Sequence, residues 1–315
     1  MSDSNNNYVS TAWRRNLFDK KVVFCTGGAG TICSGQVRAL VYLGANACII
    51  GRNVEKTELM AKDICSSREG AKVIGIGGID VRSIESLLTA VARCVDELGG
   101  IDFVIAGAAG NFLAPFMQLS SNAFKAVMDI DVLGSYNTAK AVLPHLLVSA
   151  ASHKSESGTA SPKGTGGRII FVSATIHYTG LPLQTHVAAA KAAVDQLSNS
   201  LAIELGPRGI TSNTIAPGPI AETEGIKRLS SEADSNESGK AVPLGRFGTV
   251  KDIADATVWL FSDAANFVNG STVVVDGGAW RMGRAAGPGA SFSYPDFLLS
   301  GEAVSGVVGA QKANL

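Results

Sequence analysis

No stretch of this chain approaches the ~20 consecutive apolar residues that a helix needs to cross a bilayer, and the polar opening MSDSNNNYVSTAW has no apolar run of a secretory leader. A soluble, non-secreted protein without a membrane span is therefore expected. Net charge is missing too: 27 Lys plus Arg stand against 27 Asp plus Glu. With no basic surplus to draw in nucleic acid or an anionic membrane surface, neither is expected as a partner, and any anionic ligand must be met by local cations. The 5 cysteines, Cys25, Cys33, Cys48, Cys65 and Cys94, include no CxxC pair. They read as free thiols, and neither a disulfide framework nor a metal site is expected. Internal repeats are lacking as well.

What is present is a large apolar fraction, 46% of 315 residues, enough for one large core. Short β-branched runs alternate with longer segments of helical spacing, the pattern of βα units around a parallel sheet. The runs Val22–Thr26, Ala47–Gly51, Val73–Ile79, Ile101–Gly107, Arg168–Ser173, Ile210–Ala216 and Thr272–Asp276 predict seven strands. Between the first two, Val37, Leu40, Val41 and Leu43 give a helix one apolar face, and Gly44 gives it a C-terminal cap. The expected fold is α/β, a single Rossmann-type doubly wound parallel sheet of about seven strands with helices on both faces. A polar arm, 1–17, precedes a domain spanning 18–280, and a tail, 281–315, follows it. Within the domain the Ser/Gly/Thr-rich stretch 150–167 reads as a surface insertion. The polar stretch within 219–242 reads as a mobile cover over a cleft.

Directly after the first strand stands TGGAGTIC, Thr26–Cys33. Glycines there let the backbone turn tightly and bring amide groups close to a pyrophosphate at a helix N-terminus. About 20 residues beyond such glycines, an acid would bind the ribose hydroxyls of NAD; this chain has Gly51-Arg52-Asn53 instead. Arg52 suits a 2′-phosphate that an acid would repel, which favours NADPH over NADH. TGGAG after the first strand, AGAAG after the fourth, VSA after the fifth and APGPI after the sixth make the chain resemble the short-chain dehydrogenase/reductase family, from Phe18 almost to Trp280. The family pattern TGxxxGxG is altered: Thr31 and Cys33 stand where its later two glycines fall, and Gly30 comes one position early. Cys33 reads as a small packing residue. The resemblance implies cofactor contacts from Thr26, Gly27, Gly28, Gly30, Thr31 and Ile32 in the loop, and from Arg52 and Asn53 after strand two. It further implies that Asp80 and Val81 meet the adenine, that Ala106, Gly107 and Ala108 lie along the cofactor, and that Pro217, Gly218, Pro219, Ile220 and Thr223 cover its nicotinamide end.

Most members of that family reduce ketones with a Tyr-x-x-x-Lys pair, in which lysine lowers the phenol pKa and tyrosine protonates the nascent alkoxide. Here HVAAAK keeps Lys191 but puts Val187 at the tyrosine position, and MDIDVLG puts Asp131 where the family's Asn-x-x-Gly has asparagine. Ser173 is kept. With AAGNF, LSSNAF, VMDID, PGPIAETEG and VDGGAW, the chain resembles the peroxisomal 2,4-dienoyl-CoA reductases, fungal forms above all. That resemblance implies NADPH-dependent hydride delivery to the δ carbon of a dienoyl thioester, protonation at the α carbon, and a trans-3-enoyl-CoA product in β-oxidation of unsaturated fatty acids. Such chemistry needs donors to a thioester oxygen and a proton source over the α carbon, not a phenol beside an alkoxide.

Two proton sources suggest themselves, a water held by Asp131 and the imidazole of His186 beside the vacant position. The same two residues read equally as a buried partner of Lys191 and a packed histidine. Lys191 is expected to orient the nicotinamide ribose, and Ser173 or backbone amides to bond the thioester oxygen. For the CoA ester the resemblance implies contacts from Arg82, Phe112, Ser120, Ser121, Asn122 and Arg228; core packing for Phe112, a helix N-cap for Ser120 and solvation for the arginines are the plain alternatives. The C-terminal Ala313-Asn314-Leu315 is similar to the Ser-Lys-Leu address read by a peroxisomal import receptor, with the cytoplasm as the alternative location. The family implies a homodimer or homotetramer. Two rivals stay open, another carbonyl or enoyl reductase with a different proton donor and a non-catalytic NADP-binding protein.

Overall fold

The computed structural model describes residues 8–153, 166–223 and 242–282. Most of the expected insertion, cover and tail, and with them Arg228 and Ala313-Asn314-Leu315, lie outside the described residues.

Strands β1 (Val22–Thr26), β2 (Asn46–Ile50), β3 (Val73–Ile76), β4 (Phe103–Ala106), β5 (Arg168–Val172), β6 (Thr211–Pro217) and β7 (Thr272–Val275) form one sheet in the order β3-β2-β1-β4-β5-β6-β7. Every pairing is parallel. This is the doubly wound sheet that the seven apolar runs predict. The strand ends differ from the runs for local reasons. The third run stops at Ile76 because its partner β2 ends at Ile50, opposite Ile76. The fourth starts at Phe103 because Asp102 turns its carboxylate back to accept from the amide of Val22 at 2.9 Å. The seventh stops at Val275, after which Asp276 accepts from the amides of Gly278 (2.8 Å) and Trp280 (2.7 Å) and folds the chain into a turn.

Helices α1 (Thr31–Tyr42), α2 (Val54–Cys65), α3 (Ile84–Leu98), α4 (Ser121–Met128), α5 (Gly134–Ser152), α6 (Ile176–Thr179), α7 (Thr185–Leu205) and α8 (Val250–Phe261) surround the sheet. A π turn, Asp129–Leu133, joins α4 to α5. One face of the sheet is covered by α1, α2 and α8 through Val37, Leu40, Ile64 and Val258. The other is covered by α3, α5 and α7 through Leu87, Val91, Val142, Leu146 and Val194. Burial on both faces is why the strands read as continuous apolar runs without alternation, and β1 is buried along its whole length. The expected apolar face of α1 (Val37, Leu40, Val41, Leu43) is buried, and Gly44 ends the helix with φ +116°. Residues 8–17 lie on the same layer: Val9 is buried, and the Trp13 indole donates to Asp255 at 2.7 Å. Among the described residues no helix is long and apolar enough to cross a membrane.

Strand order reverses between β1 and β4, so a crevice opens beyond their carboxyl ends, where open α/β sheets bind ligands. The glycine loop, the segment after β4 and the residues after β5 and β6 all reach that edge.

Candidate active site

The first part of the site is a backbone cradle. At the end of β1 the Thr26 hydroxyl accepts from the amides of Gly107 (3.1 Å) and Ala108 (3.3 Å), bracing the glycine loop against the segment after β4. Gly27 has φ +67°, and Gly28 lies so close to Ile49 that an added Cβ would stand 2.5 Å from its Cβ. Gly30 is the N-cap of α1, which no side chain caps; Thr31 and Ile32 open the helix. Among the described residues no side chain caps its first amides, in a cradle that a Cβ on Gly27 or Gly28 would crowd. The arrangement fits a pyrophosphate.

The altered third glycine of the motif also finds its explanation here. Cys33 Sγ sits 2.2 Å from the point that a Cβ on Gly107 would occupy. The thiol thus fills the room that Gly107 leaves, with Sγ 3.8 Å from the Gly107 carbonyl. A hydrogen bond with the Cys25 thiol lowers the Cys33 pKa against the opposing effect of burial. Gly107→Ala is expected to overpack this contact, costing ~1–3 kcal/mol and weakening cofactor binding. Adding Cys33→Ala should recover most of the loss, and thermal melting of the two singles and the double measures the coupling. Purely additive shifts would disprove the fit.

Towards the adenine end, Arg52 and Asn53 are exposed, and Asn53 caps α2 by accepting from the Lys56 amide at 2.8 Å. Asp80 and Arg82, assigned by resemblance to cofactor and substrate, form one pair, with Nη2 2.6 Å from Oδ2. That hydrogen bond holds the Asp80 carboxyl below its ordinary range. Asn137, which no motif marked, donates to the carbonyls of Val81 and Arg82, both at 3.1 Å, and fixes this corner. On the opposite side of the crevice the Thr223 hydroxyl donates to the Ile220 carbonyl at 2.8 Å, beyond Pro217, Gly218 and Pro219.

The polar centre lies between the π turn and α7. Asp131 is fully buried on the π turn, with Oδ2 3.1 Å from Lys191 Nζ and Oδ1 accepting from the Gly110 amide at 2.7 Å. Lys191 also donates to the Val172 carbonyl at 3.0 Å. Val187 lies one turn before Lys191 on the same face of α7; it is buried and packs with Val127, Ala190, Phe112 and Met128. An apolar cluster therefore occupies the place of the phenol. Ser173 is buried just beyond β5, its amide donating to the Ile215 carbonyl at 2.8 Å. Behind it stands a group that sequence reasoning missed: Asp195, one turn after Lys191, accepts from the Tyr178 hydroxyl at 2.6 Å and pairs with His177 Nε2 at 2.8 Å. Burial opposes the Asp195 charge, but the hydrogen bonds with His177 and Tyr178 hold its carboxyl below the ordinary range.

His186 is fully buried, with Nε2 3.0 Å from the Phe112 carbonyl and the two rings stacked 4.2 Å apart. Burial lowers its pKa, opposed by the Phe112 bond and by Asp131. Ser120 caps α4, accepting from the Ala123 amide at 3.2 Å, and Ser121 and Asn122 are exposed in the first turn.

The family model described as enoyl-(acyl carrier protein) reductase matches residues 27–279. A short-chain type dehydrogenase/reductase from Mycobacterium marinum, 27% identical, superposes with a TM-score of 0.72 over 84% of this chain and 98% of that one. The chain belongs to the short-chain dehydrogenase/reductase family. Within this family it is 49% identical over 289 residues to the peroxisomal 2,4-dienoyl-CoA reductase ((3E)-enoyl-CoA-producing) of Saccharomyces cerevisiae, covering 91% of this chain and 92% of that protein. The peroxisomal 2,4-dienoyl-CoA reductase of Danio rerio is 40% identical over 266 residues, 84% of this chain and 83% of that protein. A gluconate 5-dehydrogenase from Burkholderia cenocepacia, solved in complex with NADP and tartrate, is also similar, 28% identical with a TM-score of 0.73, covering 84% of this chain and 97% of that chain.

Proposed function

We propose that this short-chain dehydrogenase/reductase reduces 2,4-dienoyl-CoA to trans-3-enoyl-CoA with NADPH, in β-oxidation of unsaturated fatty acids. The observation that carries the reading is the buried Asp131–Lys191 pair beside an apolar cluster at Val187. A ketone reductase needs a proton donor next to the nascent alkoxide, and Val187 with its neighbours supplies none. The names of the Saccharomyces and Danio relatives support the same substrate.

NADPH, when bound, supplies the hydride. The cradle Thr26–Ile32 with the amides of α1 receives its pyrophosphate, Arg52 and Asn53 face the 2′-phosphate side, Asp80 and Val81 the adenine, and Ala106–Ala108 the length of the cofactor. Pro217–Ile220 and Thr223 border the nicotinamide end, and Lys191 orients its ribose. The thioester oxygen takes up charge as the dienolate forms, and Ser173 or nearby backbone amides donate to it. Asp131 holds the water that protonates the α carbon, kept in place by Gly110 and Lys191. Arg82, Phe112, Ser120, Ser121, Asn122 and Arg228 contact the CoA ester, whose phosphates need cations that a neutral chain must gather locally.

The peroxisomal names of the relatives support a peroxisomal location, with Ala313-Asn314-Leu315 as the import receptor's target, and the family supports a homodimer or homotetramer. The test is spectrophotometric. Purified protein should oxidise NADPH with 2,4-hexadienoyl-CoA, much more slowly oxidise NADH, and leave a 3-ketoacyl-CoA untouched. Turnover of the ketone alone would overturn the reading in favour of a carbonyl reductase, and turnover of neither in favour of a non-catalytic NADP-binding protein.

A further inference from the structure

Between β4 and a 3-10 turn at Phe116–Gln118 the chain runs as a wall without helix or strand, and three alternate residues of it are fastened from behind. The Gly110 amide donates to Asp131 at 2.7 Å, the Phe112 carbonyl accepts from His186 Nε2 at 3.0 Å, and the Ala114 amide donates to the Leu183 carbonyl at 3.1 Å. Leu183 is held at φ +67°, a left-handed conformation that leucine rarely adopts. The last two fastenings both come from the segment entering α7, so this segment and the wall are locked together. The Phe112 ring is clasped twice, stacked on His186 with 24° between the planes and packed into the cluster of Val127 and Val187.

We propose that His186 is a positioning residue for substrate recognition, fixing Phe112 in the wall of the acyl site, and is not the proton donor. A carbonyl oxygen can only accept, so Nε2 must carry the imidazole's proton and directs it at Phe112. Nδ1 is then a bare lone pair, buried and without a hydrogen-bond partner among the described residues. With no surface exposed, the ring presents no proton towards the crevice. What His186 offers the reaction is the place of a neighbouring aromatic ring, and that place acts on binding of the dienoyl chain rather than on the proton step.

The inference rests on the dienoyl-CoA reading, so its test has one readout tied to turnover and one free of it. His186→Phe keeps a ring to stack and removes the donor; His186→Gln places an amide donor near the position of Nε2. KM for 2,4-hexadienoyl-CoA should rise about tenfold in His186→Phe, the signature of lost binding common to ground and transition states, and stay within about threefold in His186→Gln. In both, kcat and the affinity for NADPH should stay close to wild type. Without substrate, hydrogen exchange at the amides of residues 110–114 should quicken in His186→Phe and stay slow in His186→Gln. A collapse of kcat in both variants with KM unchanged overturns the inference and makes His186 the donor. Unchanged exchange in His186→Phe overturns the clamp itself, whatever the enzyme reduces. Wild-type protein inactive on dienoyl-CoA, with exchange behaving as stated, refutes the functional reading and leaves the clamp standing.

Discussion

Lys191→Met should abolish measurable turnover and destabilise the protein in the same stroke. Lys191 Nζ is held between Asp131 Oδ2 at 3.1 Å and the Val172 carbonyl at 3.0 Å, with 9% of its side chain exposed. Methionine fills the volume and removes the charge. It leaves the fully buried Asp131 carboxylate without a counter-ion, a situation that costs ~3–5 kcal/mol when one partner of a buried pair is lost. Domains are stable by only ~5–15 kcal/mol in total, so the melting temperature should fall on the order of 10 °C. Cofactor affinity should drop as well, since the cation proposed to orient the nicotinamide ribose is gone. Arginine should not rescue: its planar fork is broader than an ammonium group and does not fit between a carboxylate and a carbonyl at these distances. Differential scanning calorimetry and NADPH titration check both halves. A variant that melts with wild type would show that Asp131 does not depend on Lys191 for its burial.

The same pair shows how far the sequence can be read. Asp131 stands out in the chain as a substitution within a motif and Lys191 as the motif residue that is kept, but what holds them, the Gly110 amide and the Val172 carbonyl, is backbone and leaves no letter. The π turn that carries Asp131 is equally silent, because apolar spacing runs through VMDIDVLG as it would through an ordinary helix. Strand positions were legible for the opposite reason: a parallel sheet buried on both faces selects continuous β-branched runs. Strand ends were not, because side chains such as Asp102 and Asp276 set them by turning back onto backbone amides. Long-range complements were hidden altogether. Cys33 reads as a damaged glycine motif until Gly107, 74 positions away, is seen to leave room for its sulfur. Phe112 and His186 each stand out in the sequence as candidates only, and the fold makes them one unit. Asp195 with His177 and Tyr178 belongs to no motif and could be found only by folding the chain.

Asp131→Asn breaks the same buried pair and should cost stability on the scale of Lys191→Met, and it should slow the turnover of the folded enzyme by ~10²–10⁴-fold, the range that positioned proton transfer contributes. The amide is isosteric, and its oxygen can go on accepting from Gly110. Its nitrogen then faces Lys191, donor against donor across the 3.1 Å that the ion pair now spans, and a water bound there loses its acceptor. Hydride delivery does not pass through this group, so the damage should fall on the proton step alone. Isotope effects separate the two steps: the solvent deuterium effect on kcat should grow in the variant, while the effect of 4-deuterated NADPH should shrink towards unity as protonation becomes limiting. Asp131→Ala should be slower still, because it also releases the Gly110 amide and with it the wall that carries Phe112, so KM should rise along with the fall in kcat. If Asp131→Asn turned over at the wild-type rate, the carboxylate would be a structural partner of Lys191 and the proton would have to come from another group in the crevice.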